Sequence, residues 1–458
     1  MSSRKSLRII SSNMRLPMTN AKQKVFIKTL GCDKNTVDSE NIIGHLMGKG
    51  FTAVAAASDA DIIIINTCCF IDDAKKQSIE TIFDYLPYKT EGDCHTFIVA
   101  GCMAERYAKE LKEELPEVDY FTGVNRVSEI GDIIQKQNAE KIYTGKTEVK
   151  TQENKRYIAK GRATAFLKIS EGCDHHCTYC VIPKIRGKHR SRPLDDLLSE
   201  AEKLFENGVK ELVLVAQDLT QYGSDLPGDT DLSDLLDALC ARCRFTWIRL
   251  LYLYPEGIND KLLKTIASHP EICHYFDIPI QHTEDYVLSR MARSVKKTQI
   301  IETVEQIRRF FPDAVLRTTV ICGFPGESQD DFSRMHETLK TLRFDRLGAF
   351  AYSREEGTPA YAMPDQIADH IKAERTQQIY DTQKLIIAEA NQNQIGQIFT
   401  TLIEEVENGV SIGRTFRDAP EVDCDVIIED ATLKPGRFYQ IEIIDAIDYD
   451  LIGRVHKQ

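Results

Sequence analysis

Apolar and polar residues follow three successive rhythms along this chain. From about Lys22 to Lys141, short β-rich runs alternate with helix-period patterns. Val25–Leu30, Asp61–Asn66 and Phe97–Ala100 read as strands, and the unbroken apolar run inside the second fits burial on both faces. Val37–Gly48 carries Val37, Ile42, Ile43, Leu46 and Met47 near helical spacing. Ala74–Phe83 and Ala104–Leu115 are likewise helical, the last stopping before Pro116. Strands alternating with helices predict a parallel α/β sheet for residues 22–141.

A polar stretch over residues 142–156 reads as a linker, and the alternation then resumes over residues 157–391. Six strands are expected there: Ala165–Ser170, Glu211–Ala216, Trp247–Leu253, Tyr275–Ile280, Val315–Ile321 and Arg346–Ala351. Helical patterns at Pro193–Glu206, Leu232–Cys240, Asp260–His269, Thr298–Phe310 and Asp330–Leu342 separate them. Six such units predict a partial (β/α)6 barrel with its reactive groups at the C-terminal ends of the strands. Residues 394–458 change character: they are rich in Val, Ile and Thr, with turn signals at Asn408-Gly409 and Pro435-Gly436, and predict a small all-β barrel or sandwich. Residues 1–21 carry Arg4, Lys5, Arg8 and Arg15 but no apolar h-region, so they read as a flexible leader rather than a secretory signal.

Composition narrows the function. No apolar run approaches the roughly 18 residues of a membrane span. With no export signal the chain is expected in the cytoplasm, where its 13 cysteines are better explained as metal ligands, catalytic groups or buried small hydrophobes than as disulfides. The formal net charge is −12, and residues 394–458 hold thirteen carboxylates against six Lys and Arg. A domain gripping tRNA should be basic, so stable nucleic-acid binding is not expected. Asp418, Glu421, Asp423, Asp425, Glu429 and Asp430 form a carboxylate-rich stretch that would suit a basic protein partner.

The sharpest chemical signal is Cys173-Asp-His-His-Cys177-Thr-Tyr-Cys180, directly after an expected strand. Thiolates suit zinc or iron–sulfur clusters. A zinc site wants four ligands, which His175 or His176 could complete; three cysteines on a cubane leave one iron open for a substrate or cofactor. Three further cysteines, Cys32, Cys68 and Cys102, each follow a strand of the first unit, and in a parallel sheet such ends share one edge. Gly31 and Gly101 precede two of them. Of the rest, Cys69 should point away from Cys68. Cys94 falls in a polar loop before its strand, Cys273, Cys322 and Cys424 read as structural thiols, and the Cys240-x-x-Cys243 pair near a helix end, lacking a partner pair, reads as packing.

The CxxxCxxC loop at the end of a first barrel strand resembles the radical S-adenosylmethionine (SAM) superfamily. With both thiol trios the chain resembles the methylthiotransferase family of radical SAM enzymes, which join an auxiliary-cluster domain, a radical SAM barrel and a C-terminal TRAM domain. The resemblance rests on Lys28-Thr-Leu-Gly-Cys-Asp-Lys-Asn35 with Asp38-Ser-Glu40, Asn66-Thr-Cys68, Gly101-Cys-Met-Ala-Glu-Arg-Tyr107, and Glu171 through Pro193. Val215 through Gly223, Asp277 through His282, Tyr352 through Thr358 and Gly413 through Asp423 look like its ribosomal-protein (RimO-type) branch. Asp33, Cys69, Cys322 and Cys424 depart from the family's usual residues without removing a thiol of either trio.

The resemblance implies two 4Fe–4S clusters, an auxiliary one on Cys32, Cys68 and Cys102 and a radical SAM one on Cys173, Cys177 and Cys180. It implies an enzyme that places a methylthio group on the β-carbon of an aspartate in ribosomal protein twelve of the small subunit, with electrons from a flavodoxin- or ferredoxin-like donor. Tyr179, beside Cys180, is the expected adenine neighbour. Gln217, Arg317 and the turn beginning at Gly323 are further SAM-contact candidates, and no catalytic side chain is assigned beyond the cluster ligands. The alternatives are a tRNA adenosine methylthiotransferase and a non-catalytic iron–sulfur or zinc protein on the ribosome.

Overall fold

The computed structural model describes residues 22–136, 139–145, 155–159 and 161–456. The expected leader and the centre of the expected linker lie outside them. Six strands build the first domain: β1 (Lys24–Thr29), β2 (Thr52–Ala53), β3 (Ile62–Thr67), β4 (Thr96–Gly101), β5 (Tyr120–Thr122) and β6 (Ile142–Tyr143). They form one sheet in the order β2-β1-β3-β4-β5-β6, with every pair parallel. Its three central strands fall within one residue of their expected bounds. The side strands β2, β5 and β6 escape a periodicity reading because two or three residues cannot display a period. β6 pairs with β5, so the sheet reaches into the stretch expected to be linker. Ile62, Ile63, Ile64 and Ile65 of β3 are completely buried, as expected for a parallel strand covered on both faces.

The second domain is a parallel sheet of six strands: β7 (Thr164–Lys168), then, after a short ribbon of β8 (Ser170–Glu171) and β9 (Arg190–Ser191), β10 (Glu211–Val215), β11 (Trp247–Leu250), β12 (Ile272–Asp277), β13 (Val315–Cys322) and β14 (Arg346–Ala351). The order β14-β13-β12-β11-β10-β7 leaves β7 and β14 as the edges of an open barrel. β7 stops two residues early because Ser170 and Glu171 pair antiparallel with Ser191 and Arg190 instead. The 24-residue helix Asp369–Gln392 has no counterpart in the sequence reading. It buries Lys372, Arg375, Gln383 and Asn391 beside few apolar residues, so its hidden face shows no apolar stripe.

The third domain is a closed barrel, which settles the choice against a sandwich: β15 (Ile398–Glu407), β16 (Val410–Arg414), β17 (Val426–Ile428), β18 (Phe438–Ile447) and β19 (Asp450–Val455), in the order β15-β16-β17-β19-β18. Asn408 (φ 51) and Gly409 (φ 88) turn β15 into β16 with the two left-handed residues that a tight hairpin requires.

The domains share cores. Phe166, Val213, Val215, Trp247 and Tyr275, on the barrel strands, cluster with Val37 of the first domain and with Leu402 and Ala419 of the third. Glu211 is sealed between Arg249 and Arg414, 2.8 and 2.6 Å away, and these two guanidiniums outweigh burial to hold its carboxyl down at about 2. This junction corrects the reading of the acidic tail. Asp418 is buried against Arg346 at 2.5 Å, and Asp423 accepts a hydrogen bond from Tyr275 Oη at 2.5 Å with Arg317 3.5 Å away. Those two carboxylates bind the chain's own cations. Within the stretch, Glu421 and Glu429 are the exposed ones.

Candidate functional site

Cys173, Cys177 and Cys180 lie on the loop between the two ribbon strands. The ribbon closes the ends of the loop, and Cys173 N–H donates to Gly187 O at 3.1 Å. Gly172 has φ +78, and a Cβ there would collide with Lys188 O, so this close crossing requires glycine. Farther along, Thr178 N–H donates to Met291 O and Ile182 N–H points at Cys180 Sγ, 3.4 Å away. His175 is engaged: its Nε2 lies 2.8 Å from Asp218 Oδ2 and 2.9 Å from Gln221 Nε2, and its ring stacks on Tyr254 at 4.1 Å. His176 is exposed. Neither histidine completes a four-ligand set, which favours three thiols with an open position over zinc. Burial pushes the Cys173 thiol up to about 11 and Cys180 up to about 12; Asp174 and Asp218 add to the rise at Cys173.

The second trio is assembled by the first sheet. β1, β3 and β4 are neighbours, and Cys32, Cys68 and Cys102 follow their C-terminal ends. Cys32 is the N-cap of helix Asp33–Gly48 and Cys102 opens helix Cys102–Glu114, so both thiols sit at positive helix ends. The approach is close: a Cβ on Gly31 (φ +89) would stand 2.7 Å from Cys68 Cβ and 3.0 Å from its Sγ. Gly101 (φ +93) has no room for a Cβ beside Asn66 and Thr67. Burial raises the Cys68 thiol and pushes Cys102 up to about 12, with Arg186 opposing both. Cys69 is fully buried in the apolar cluster that also holds Cys102, with Cys102 and Arg106 its foremost charged neighbours.

Arg186 joins the two thiol regions. It is 1% exposed, and its Nη2 donates to Asn35 Oδ1 at 2.7 Å and reaches Cys102 Sγ at 3.7 Å. Its Nη1 donates to both oxygens of Glu171 at 3.0 Å, two residues before Cys173. Asp38 lies 3.2 Å from the same guanidinium, and Lys168 bonds both Asp38 and Glu171. Burial alone would raise Glu171, but Arg186 and Lys168 hold its carboxyl far below the usual range. Two more bonds dock the auxiliary edge on the barrel: Lys34 Nζ to Ala216 O at 3.2 Å and Tyr252 Oη to Asp33 Oδ2 at 3.1 Å.

The four expected SAM contacts divide. Gln217 follows β10 at the barrel mouth; its Nε2 donates to Glu171 at 3.2 Å, and its buried Oε1 has no partner. Tyr179 packs on the cluster of Val287, Met291, Phe324, Tyr352 and Ala360. Arg317 sits early in β13, bonded to Asp277 at 2.8 Å and facing Asp423, so it belongs to the junction with the third domain. The Gly323 amide is taken by Glu327 at 2.9 Å, which closes that turn on itself. The sequence reading missed Arg293. It is 6% exposed, lies over the Tyr254 ring at 4.1 Å, and keeps Nε and Nη1 without partners. Ser170 Oγ, in β8, is also buried and unpartnered. No motif marks Arg293, because it lies outside the strand–helix repeat. Nor does a motif mark Arg186, which in the sequence is one of four closely spaced cations with Lys188, Arg190 and Arg192.

These residues fit the implied groups. In neither trio do all three sulfurs lie within 4.8 Å of one another. A tetrahedral zinc with Zn–S near 2.3 Å would draw them to about 3.8 Å. The wider spacing suits a cluster with several irons. The unpartnered donors of Arg293 and the acceptor of Gln217 are what a zwitterionic, hydroxyl-bearing cofactor would satisfy.

Comparison with known proteins agrees in order and extent. Residues 24–123 match the Uncharacterized protein family UPF0004, residues 167–339 the Radical SAM superfamily and residues 395–455 the TRAM domain. The chain is 44% identical over 444 residues to "Ribosomal protein uS12 methylthiotransferase RimO" of Clostridioides difficile (strain 630), covering 94% of this chain and 98% of the relative. It is 43% identical to the protein of the same description from Geobacter sulfurreducens, covering 96% and 100%. Among solved structures, the radical SAM methyltransferase TsrM from Kitasatospora setae matches in fold at a TM-score of 0.54, with 11% identity over 86% of this chain and 77% of that one.

Proposed function

The chain belongs to the RimO family of ribosomal protein uS12 methylthiotransferases, radical SAM enzymes with a TRAM domain, and from that premise we propose that it adds a methylthio group to the β-carbon of an aspartate in uS12. The observation that carries this reading is Arg186, which touches Cys102 of one thiol trio and Glu171 beside the other. A non-catalytic metalloprotein has no need of two open-position thiol sets held against each other at a barrel mouth.

We assign Cys173, Cys177 and Cys180 to the radical SAM cluster and Cys32, Cys68 and Cys102 to the auxiliary cluster. When bound, these clusters supply one-electron chemistry toward SAM and an open iron for a sulfur donor. The chain's own residues do the positioning. Arg293 offers unpaired donors for the SAM carboxylate, and Gln217 Oε1 accepts from an amine or hydroxyl. Tyr179 supports the loop from the apolar side. His175, fixed by Asp218 and stacked on Tyr254, holds the loop in register. The buried network around Arg186 excludes water between the two trios, so that charges there act in a low dielectric.

We place the reaction in the cytoplasm, with a flavodoxin- or ferredoxin-like protein as electron source and no stable nucleic-acid partner. Among the described residues no helix is long and apolar enough to cross a membrane. The test is an anaerobic incubation of reconstituted enzyme, SAM and reductant with either a uS12 peptide or bulk tRNA. A methylthio mass increment on the peptide aspartate is expected. Modification of tRNA with an untouched peptide overturns the proposal.

A further inference from the structure

The strand ends away from the clusters carry a second set of metal-ligand side chains. Cys240 lies in the last turn of helix Leu232–Arg242, His269 caps helix Asp260–Ser268, and Glu271 immediately precedes β12. One ligand atom from each falls within 4.8 Å of the others, a convergence that neither cluster trio shows. We propose that Cys240, His269 and Glu271 form a structural zinc site at the N-terminal end of the barrel strands, with Asp237 or water in the fourth position.

Four observations support it. The donor set of one thiol, one imidazole and one carboxylate suits zinc. The two non-helical ligands are held in place by backbone: Ile272 N–H donates to His269 O at 3.0 Å and Ile248 N–H to Glu271 O at 2.7 Å. Asp237, three residues before Cys240 on the same helix face, lies 2.8 Å from His269 Nε2, where it serves either as a ligand or as the carboxylate that orients the ring. The local field also calls for a cation. The Cys240 thiol lies within 4.8 Å of the Glu271 carboxylate, and its other charged neighbours, Asp237 and Cys243, are acidic groups. Among the described residues no Lys or Arg pairs with Glu271 or Asp237.

This adds a role for Cys240 to the reading of Cys240-x-x-Cys243 as a packing pair. Cys243 is fully buried in the barrel core, and Cys240, half-buried, packs against that core while its thiol also meets the Glu271 carboxylate. The ion would tie together two helices and the start of a strand, and the end of the barrel it occupies is the one whose residues serve stability rather than chemistry. Binding expels the thiol proton, so uptake should strengthen as pH rises.

The test uses holoenzyme with both clusters reconstituted, so that cluster thiols are not free to bind zinc. It is equilibrated with zinc sulfate, desalted, and assayed for metals by mass spectrometry. About one zinc per chain is expected beside about eight iron. Cys240→Ser and Glu271→Gln should each lose that zinc while keeping iron content and SAM cleavage. X-ray absorption at the zinc edge should show one sulfur among lighter ligands. Retained iron shows that a variant is folded; if Cys240→Ser fails this check, Glu271→Gln and His269→Gln decide. Wild-type protein without zinc, or folded variants that keep it, overturn the proposal.

Discussion

The two thiol trios are assembled by opposite routes. Cys173, Cys177 and Cys180 are eight residues of continuous chain, held by a ribbon, a positive-φ glycine and a stacked histidine. Cys32, Cys68 and Cys102 are spread over seventy residues and meet because three parallel strands end on one edge. Their surroundings differ as well. Arg186 stands 3.7 Å from Cys102, so the auxiliary trio sees a buried positive charge. Cys173 has Asp174 and Asp218 as its charged neighbours besides Cys177. Reduction adds negative charge, so a nearby cation favours the reduced state and nearby anions oppose it. The contrast lies between Cys102, beside a guanidinium, and Cys173, beside two carboxylates, and Arg293 near Cys177 offsets it in part.

Exchanging the trios for alanine tests this division with the largest effect. Cys173→Ala, Cys177→Ala and Cys180→Ala together should abolish 5′-deoxyadenosine formation, measured by chromatography. The corresponding change at Cys32, Cys68 and Cys102 should abolish methylthio product while deoxyadenosine still forms. Product from the second variant would erase the distinction between the sites.

Arg186→Met should come next. It leaves Asp38 and Glu171 buried with only Lys168 between them, at a cost of about 3–5 kcal/mol in denaturant unfolding. In whatever fraction remains folded, the auxiliary cluster's midpoint in an EPR-monitored titration should fall, while that of the loop cluster stays nearer its original value. Equal shifts at both clusters would refute the electrostatic contrast.

Arg293→Met probes the loop side alone. Losing a charged donor pair to a carboxylate should raise the KM for SAM by about 10- to 100-fold with little change in iron content. An unchanged KM would remove Arg293 from the SAM site. Smallest is Gly31→Ala, which places a methyl 2.7 Å from Cys68 Cβ at φ +89. A loss of about 1–3 kcal/mol is expected, with iron falling toward the content of a single cluster. The same iron content as wild type would mean that the strand ends have slack.

Much of this was legible before the structure. β3 and β10 carry unbroken apolar runs, Ile62–Ile65 and Leu212–Val215, and the strand bounds fell within about three residues of expectation because a strand buried on both faces admits little else. The convergence of Cys32, Cys68 and Cys102 on one sheet edge was legible for the same reason: their strand ends could be counted. Arg293 was not legible. Its role depends on the Tyr254 ring, some forty residues earlier, and on which donors remain unpaired after packing. Arg317 shows the converse error. Its position in a barrel strand suggested the mouth, but Asp277 and Asp423 claim its charge. Asp418 and Asp423 read as an acidic face because net charge counts carboxylates without their partners; Arg346 and Arg317 neutralise them at a domain junction.

The sequence by itself determined the three-part order, the parallel sheets and the two thiol sets, since each depends on local period or on spacing along the chain. Tertiary structure alone decided which charges face solvent and which are spent inside. It also decided that one arginine would stand between the trios, and that Cys240 would meet His269 and Glu271. Those outcomes depend on contacts between residues far apart in the chain, and the energy of a buried charge is set by what surrounds it in space.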